Sequence, residues 1–397
     1  MTVAADGALP ARGRAPASVR TATVSRGWIP AFLVLLGAAF SLTAASWDIQ
    51  WHIDVGPDTF FTLPHLVLYA GSALSGLASL AVVLMTTAAR RADREVDTTI
   101  GGRAVPVLGG TFAAPLGYLV SGAGSAGFLL YGLFDLWWHS LYGFDAVIAS
   151  PPHIGLILSI ALSMVGAVMV FAAAWAHRWA RLGVILAFTV TLAFSLVATQ
   201  GLAEIDGGVV DPVSVGVTFL TVLVVFMAVG FLRDIRLVLG FGIVFAAAQA
   251  LLWWFSPWAT RAYAVAVGLP MRDYVSPVPL VPAEMPMSLP AVAALTWWAV
   301  SSVGRDRPGR LVASLVGGLA GLVVTVCGLT QASLVYRSTL PTIGEMPPTV
   351  VAGVLVGALA GFLGRRFSAM LRAVVPATPR EASAASQQAS APSQEGR

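Results

Sequence analysis

Long apolar runs constrain this chain more than any other feature. Windows of about 20 nearly uncharged residues, the length a helix needs to cross the hydrocarbon core of a bilayer, recur from residue 28 to residue 364. Ten candidate spans lie near 28–50, 63–87, 111–138, 152–175, 182–200, 212–231, 236–256, 288–303, 310–335 and 348–364, the eighth of them short. Soluble domains carry about 25% charged residues; here the figure is 11%, against 57% apolar residues. That balance excludes a soluble enzyme, a disordered scaffold and a nucleic-acid module, and it makes the lipid bilayer the first partner. The 40 glycines and 24 prolines are scattered through the apolar runs, where membrane helices tolerate both. The predicted fold is an all-α polytopic membrane protein of about ten transmembrane helices.

Arginine placement gives the direction. All 23 basic residues are arginine, and cytoplasmic segments near span ends carry the positive excess. With the N-terminus inside, 20 arginines fall on the cytoplasmic side, and only Arg261, Arg272 and Arg337 fall outside. Both termini are therefore expected in the cytoplasm. Arginine without lysine also suggests a GC-rich bacterial source, hence a cytoplasmic membrane. Residues 1–27 read as a disordered cytoplasmic leader without a cleavable signal, and 371–397 as a disordered tail rich in Ala, Ser, Gln and Pro. Between them lie a membrane domain, 28–235, and a further four-helix region, 236–370. Cys327, alone inside an apolar run, can form no intrachain disulfide.

Four of the five histidines sit in two matching segments. The first is Trp47-Asp48-Ile49-Gln50-Trp51-His52, followed by Asp58 and Pro64-His65. The second is Phe134-Asp135-Leu136-Trp137-Trp138-His139, followed by Asp145 and Pro152-His153. Equivalent residues are 87 or 88 apart (48 and 135, 52 and 139, 58 and 145; 65 and 153). This is a tandem repeat of a two-helix unit, and two spans per unit keep both copies facing the same way, here outward. Asp-x-x-x-His places two side chains one turn apart on one helix face. The second His follows a Pro at the start of the returning helix, where the missing N–H costs no bond. One hairpin can thus close a His, His, carboxylate site suited to Cu(II), Fe(II) or Zn(II). The candidate metal ligands are Asp48, His52 and His65, and Asp135, His139 and His153, with Asp58 and Asp145 behind them. An aromatic belt at the membrane interface accounts for Trp47, Trp51, Trp137 and Trp138 but not for the repeated acid and histidine spacing.

At these residues the chain resembles the C subunit of the copper membrane monooxygenases, the particulate methane and ammonia monooxygenases. The family's first motif is similar to Asp48-x-x-Trp51-His52, then Asp58-Thr59-x-Phe61-Thr62-x-x-His65, with Tyr69 and Gly71 following. Its second is similar to Asp135-x-x-x-His139, Asp145, and Ala149-x-Pro151-x-His153. Here Asp135 stands where the family usually has Asn, and Asp145 where it usually has Glu. The resemblance covers about 45–160 and implies copper, one or two ions per chain, on the two three-residue sets. It also implies separate A and B subunits or a periplasmic copper donor as partners. The last four spans have no obvious counterpart in that subunit.

Two other function classes fit the same residues. One is a non-enzymatic protein for copper handling, assembly or transport, consistent with Met271, Met285 and Met287 in an outer segment and Met346 before the last helix, since thioethers favour Cu(I). The other is a transporter whose Asp and His pairs relay protons. The outer loop 203–211, with three acids and no base, reads as solvated. His177 is a cytoplasmic flank residue, and the glycine runs at 317–321 and 353–361 serve close helix packing.

Overall fold

The computed structural model describes residues 26–98, 100–143, 148–205, 208–275, 278–302, 309–336 and 346–375. Among them, nine helices are long and apolar enough to cross a membrane. Two hairpins open the chain. α1 (Trp28–Asp54) and α2 (Leu63–Arg91) form the first, and α3 (Leu116–Tyr142) and α4 (Pro151–Ala173) the second. Each helix of the second begins 88 residues after its counterpart (28 and 116; 63 and 151).

The repeat extends into the helix crossings. A Cβ on Gly37 would collide with the Gly71 carbonyl and the Ser75 amide; one on Gly124 would collide with the Ser159 carbonyl and the Ser163 amide. The three positions of one crossing match the three of the other at the same offsets of 87 and 88 (37 and 124; 71 and 159; 75 and 163). Backbones approach this closely in a membrane because dispersion and small-residue packing, not hydrophobic exclusion, hold helices together there. Ser75 adds a bond from its hydroxyl to the Val34 carbonyl at 2.9 Å, while Ser163 pairs with the hydroxyls of Ser121 and Ser125 at 3.2 and 3.3 Å.

Between the hairpins the third span starts later than its apolar run. Ala104–Val107 (β1) and Phe112–Pro115 (β2) pair antiparallel, Val107 opposite Phe112. Gly109 and Gly110 turn the ribbon at φ +65° and +88°, a conformation that favours glycine. Pro115, which cannot donate to a helix ladder, sits at the edge just before α3.

The remaining helices are α5 (Arg178–Ala198), α6 (Pro212–Leu232), α7 (Ile235–Val267), α8 (Leu280–Glu284), α9 (Leu289–Ser302), α10 (Gly309–Tyr336) and α11 (Met346–Ala373). α5 runs through the middle, with Phe188 and Phe194 buried. α7 packs on α1 and α5, and α6 packs with α10 and α11. Gly317 and Gly321 lie against the backbone of Gly357 and Gly353, so these glycine runs are a helix crossing.

Among the described residues, the eighth span is the one that falls short. α9 has 14 residues, about 21 Å of helix, and the five-residue α8 precedes it. The break leaves carbonyls with no partner in a helix. Two glutamines bond to them. Gln249 donates to the Pro282 and Met285 carbonyls at 2.8 and 2.7 Å, and Gln331 to those of Ala283 and Met285 at 2.7 and 2.9 Å. α7, expected to end near 256, instead continues through Pro257 for 33 residues, about 50 Å. Its last turns reach over the end of the first hairpin.

Candidate metal centre

α1 carries Asp48 and His52 on one face in its last two turns. Segment 55–62 reverses the chain through Gly56 at φ +101°, and Thr62 precedes the first turn of α2, which carries Pro64 and His65. The hairpin is closed by Trp51, whose indole N–H donates to the Pro57 carbonyl at 2.8 Å. These constraints bring four side chains together: Asp48, His52, Asp58 and His65 each offer one donor atom, all within 4.8 Å of one another. His52 Nε2 lies 3.1 Å from Asp58 and 3.8 Å from Asp48; His65 Nε2 lies 3.1 Å from Asp48 and 3.5 Å from Asp58.

Among the described residues, the second hairpin repeats the arrangement with three side chains. Asp135 Oδ1 lies 3.2 Å from His139 Nε2 and 3.4 Å from His153 Nε2, and all three donors again fall within 4.8 Å. Asp145 lies outside the described residues. All six histidines and aspartates singled out as ligands therefore fall into two clusters. Asp58 stands inside the first cluster, as near to the imidazoles as Asp48, and not behind it.

Backbone carbonyls orient the rings. His65 Nδ1 sits 3.1 Å from the Thr59 carbonyl and His139 Nδ1 2.8 Å from that of Gly143. A carbonyl only accepts, so Nδ1 carries the proton and Nε2 is the atom aimed into the cluster. This is the usual way a metal-binding imidazole is held in one tautomer. Asp48 Oδ1 and Asp135 Oδ1 are buried and accept no well-aligned hydrogen bond. Carboxylate oxygens and imidazole lone pairs at 3.1–3.4 Å repel unless a cation or a proton lies between them. A dication would neutralise the two carboxylates of the first cluster while leaving both imidazoles neutral. The donor set thus fits a transition metal. In the loop, burial alone would raise the Asp58 carboxyl, but its bond to His52, the nearby His65 and Thr62 hold it below the usual carboxylate range.

The clusters are neighbours. Tyr69 packs on His65 with ring centroids 6.2 Å apart and on Phe128 at 6.0 Å, and it lies over Gly132, one turn before Asp135. The carboxylates of Asp48, Asp58 and Asp135 all interact electrostatically with Tyr69. Their surroundings differ. Trp51 is 1% exposed, packed on Tyr263 of α7 with Met271 and Leu269 alongside. It belongs to the interior rather than to an interfacial belt. The Arg272 amide donates to the Asp54 carbonyl at 2.7 Å, and its guanidinium lies over Gly56. In the second hairpin Trp137 is 54% exposed.

The other polar features take local roles. Asp211 caps α6 by accepting from the Val213 amide at 3.0 Å. Met285 is fully buried, Met271 lies against Trp51, and Met287 is exposed, so the methionines do not converge on either cluster. His177 stacks on Trp179 at the start of α5, away from both. Sequence reasoning missed the Thr59 and Gly143 carbonyls, which carry no residue-type signal. No family model, no curated protein and no solved structure matches the chain.

Proposed function

We propose that the chain is an integral membrane protein that binds copper at both clusters, in the manner implied by its resemblance to the C subunit of methane and ammonia monooxygenases. One observation carries the reading: two repeat-related hairpins each converge imidazole Nε2 and carboxylate oxygen atoms to within 4.8 Å, with a buried carboxylate oxygen facing imidazole nitrogen at each centre. A bound copper ion would supply Lewis acidity and one-electron redox chemistry. Asp48, Asp58, His52 and His65 would hold the first ion, and Asp135, His139 and His153 the second. Thr59 and Gly143 would keep the imidazole tautomers fixed. Three donors at the second cluster, counted among the described residues, would leave a fourth position for an exogenous ligand, as catalytic sites do. Oxygen activation would require partner subunits to supply electrons and a substrate pocket.

A second reading, copper handling without catalysis, draws on the first cluster. Four protein donors fill a tetrahedral shell, the mark of a site that holds its ion. Metal content by mass spectrometry of the copper-loaded protein tests the common premise. Near two copper ions per chain, falling by about one in His52→Ala and in His139→Ala, supports both sites. Copper retained in full by both variants, or none bound by the wild type, would leave the Asp and His pairs as a proton path.

A further inference from the structure

The end of the bundle away from the metal clusters contains a second built feature. Arg233 after α6, Arg310 in the first turn of α10, and Arg365, Arg366 and Arg372 near the end of α11 all line one cavity of about 850 Å³. No Asp or Glu is among its described lining residues. Arg372 is committed to structure: it donates to the Gly230 and Phe231 carbonyls at the open end of α6 and lies 5.3 Å over the Phe231 ring. Arg366 rests on Phe362 at 5.1 Å. Among the described residues, the ion pairs involve only the Asp and His clusters, so Arg233, Arg310, Arg365 and Arg366 have no carboxylate partner.

Charge at a span end needs only water and a headgroup region. Convergence around a cavity asks for more, because like charges brought together repel until an anion joins them. The guanidinium fork matches phosphate oxygens bidentately. Deeper in, the walls are apolar: Phe226 and Val229 lie one to two turns inside α6, opposite Ala313. The Trp297 indole donates to the Arg233 carbonyl at 3.0 Å and fixes the mouth. A cationic rim over an apolar wall suits a ligand with a phosphate at one end and acyl chains at the other.

We propose that this cavity binds the phosphate group of an anionic phospholipid from the adjacent leaflet. The site is independent of the metal clusters. The same phosphate chemistry is offered by a soluble phosphate, and the test separates the two. The full chain in detergent is incubated with phosphatidylglycerol, phosphatidylcholine or inorganic phosphate, and retained lipid is counted by native mass spectrometry alongside thermal stability. Wild type should retain phosphatidylglycerol about tenfold over phosphatidylcholine, the scale of one charge-assisted contact, and inorganic phosphate should give little protection. Arg310→Gln/Arg365→Gln/Arg366→Gln should lose that preference. Arg90→Gln/Arg94→Gln, at the same end but outside the cavity, should keep it. Equal retention of both lipids by wild type overturns the proposal without any variant. So does equal loss in the control pair, or protection by inorganic phosphate as strong as by phosphatidylglycerol, which would make the ligand a soluble one. If the triple glutamine variant does not fold, Arg365→Lys/Arg366→Lys keeps the charge and removes the fork. Its phosphatidylglycerol retention should fall below wild type, and unchanged retention counts against the site.

Discussion

The two hairpins share a backbone and differ in their surroundings. Both cross at a glycine set against a carbonyl and an amide 87 and 88 residues apart, and both end in Asp-x-x-x-His answered by Pro-His. Yet the first lies beneath the last turns of α7, while the second lies at the end of a helix with Trp137, Leu133 and Tyr142 exposed. Duplication preserved what local spacing dictates. The unrepeated helices decide how much cover each copy receives.

The carboxylates give the sharpest way to break that comparison. The first cluster contains Asp58 besides Asp48, so Asp48→Ala should weaken its copper binding without abolishing it, by about 10–100-fold, the scale seen when supporting ligand-shell groups are removed. In the second cluster Asp135 Oδ1 faces both imidazoles, so Asp135→Ala should weaken its copper binding at least as much. Copper titration with metal counting reads both. Copper binding that survives Asp135→Ala unchanged would show that Asp135 is not a ligand.

Cover comes next. Trp51 is enclosed and bonded to Pro57, so Trp51→Ala should cost about 3–5 kcal/mol, as buried aromatic truncations do. Trp138, half-buried on the second hairpin, should cost well under half as much. Chemical or thermal unfolding in detergent measures the pair. The crossings should then behave alike: Gly37→Ala and Gly124→Ala each force backbones apart at about 1–3 kcal/mol. A large difference between them would mean that the duplication is one of sequence more than of packing.

These contrasts also separate what could be read from residues alone. The spans were legible because a bilayer demands about 20 apolar residues whatever the fold. The cluster residues were legible because helical spacing and a repeat act locally. Asp58 read as a supporting group because a loop has no periodicity to say which way it folds, and only closure by Trp51 and Gly56 turns it inward. The Gly37 and Gly124 crossings carry the repeat offset, but small residues are too common in membrane helices to stand out. The extension of α7 past Pro257 was hidden because proline normally ends a helix in water, whereas neighbouring segments can satisfy the freed carbonyl in a membrane protein. Gln249 and Gln331 gave no signal either, since the broken carbonyls they satisfy exist only once α8 and α9 are formed.

The smallest effect isolates the metal hairpins from their background. Glu284 ends α8 outside both hairpins, accepts from Gln200, and is pushed by burial from an ordinary value of 4.5 to about 7, with the charge of Asp211 adding to the rise. A carboxyl whose folded value is raised favours the protonated, folded form. Its stabilising contribution is complete below about pH 4.5 and is lost as pH rises through about 7. The metal-free protein should therefore unfold more readily at pH 8 than at pH 5. Glu284→Gln, neutral throughout, should open a stability advantage over wild type that grows across this window and levels off above it. Melting temperatures of the two proteins along a pH series measure the gap. A gap that stays flat would mean that Glu284 is ionised in the fold and that the pH response belongs to the histidine clusters; a gap that grows provides the background in which metal-induced stabilisation of each hairpin can be compared without it.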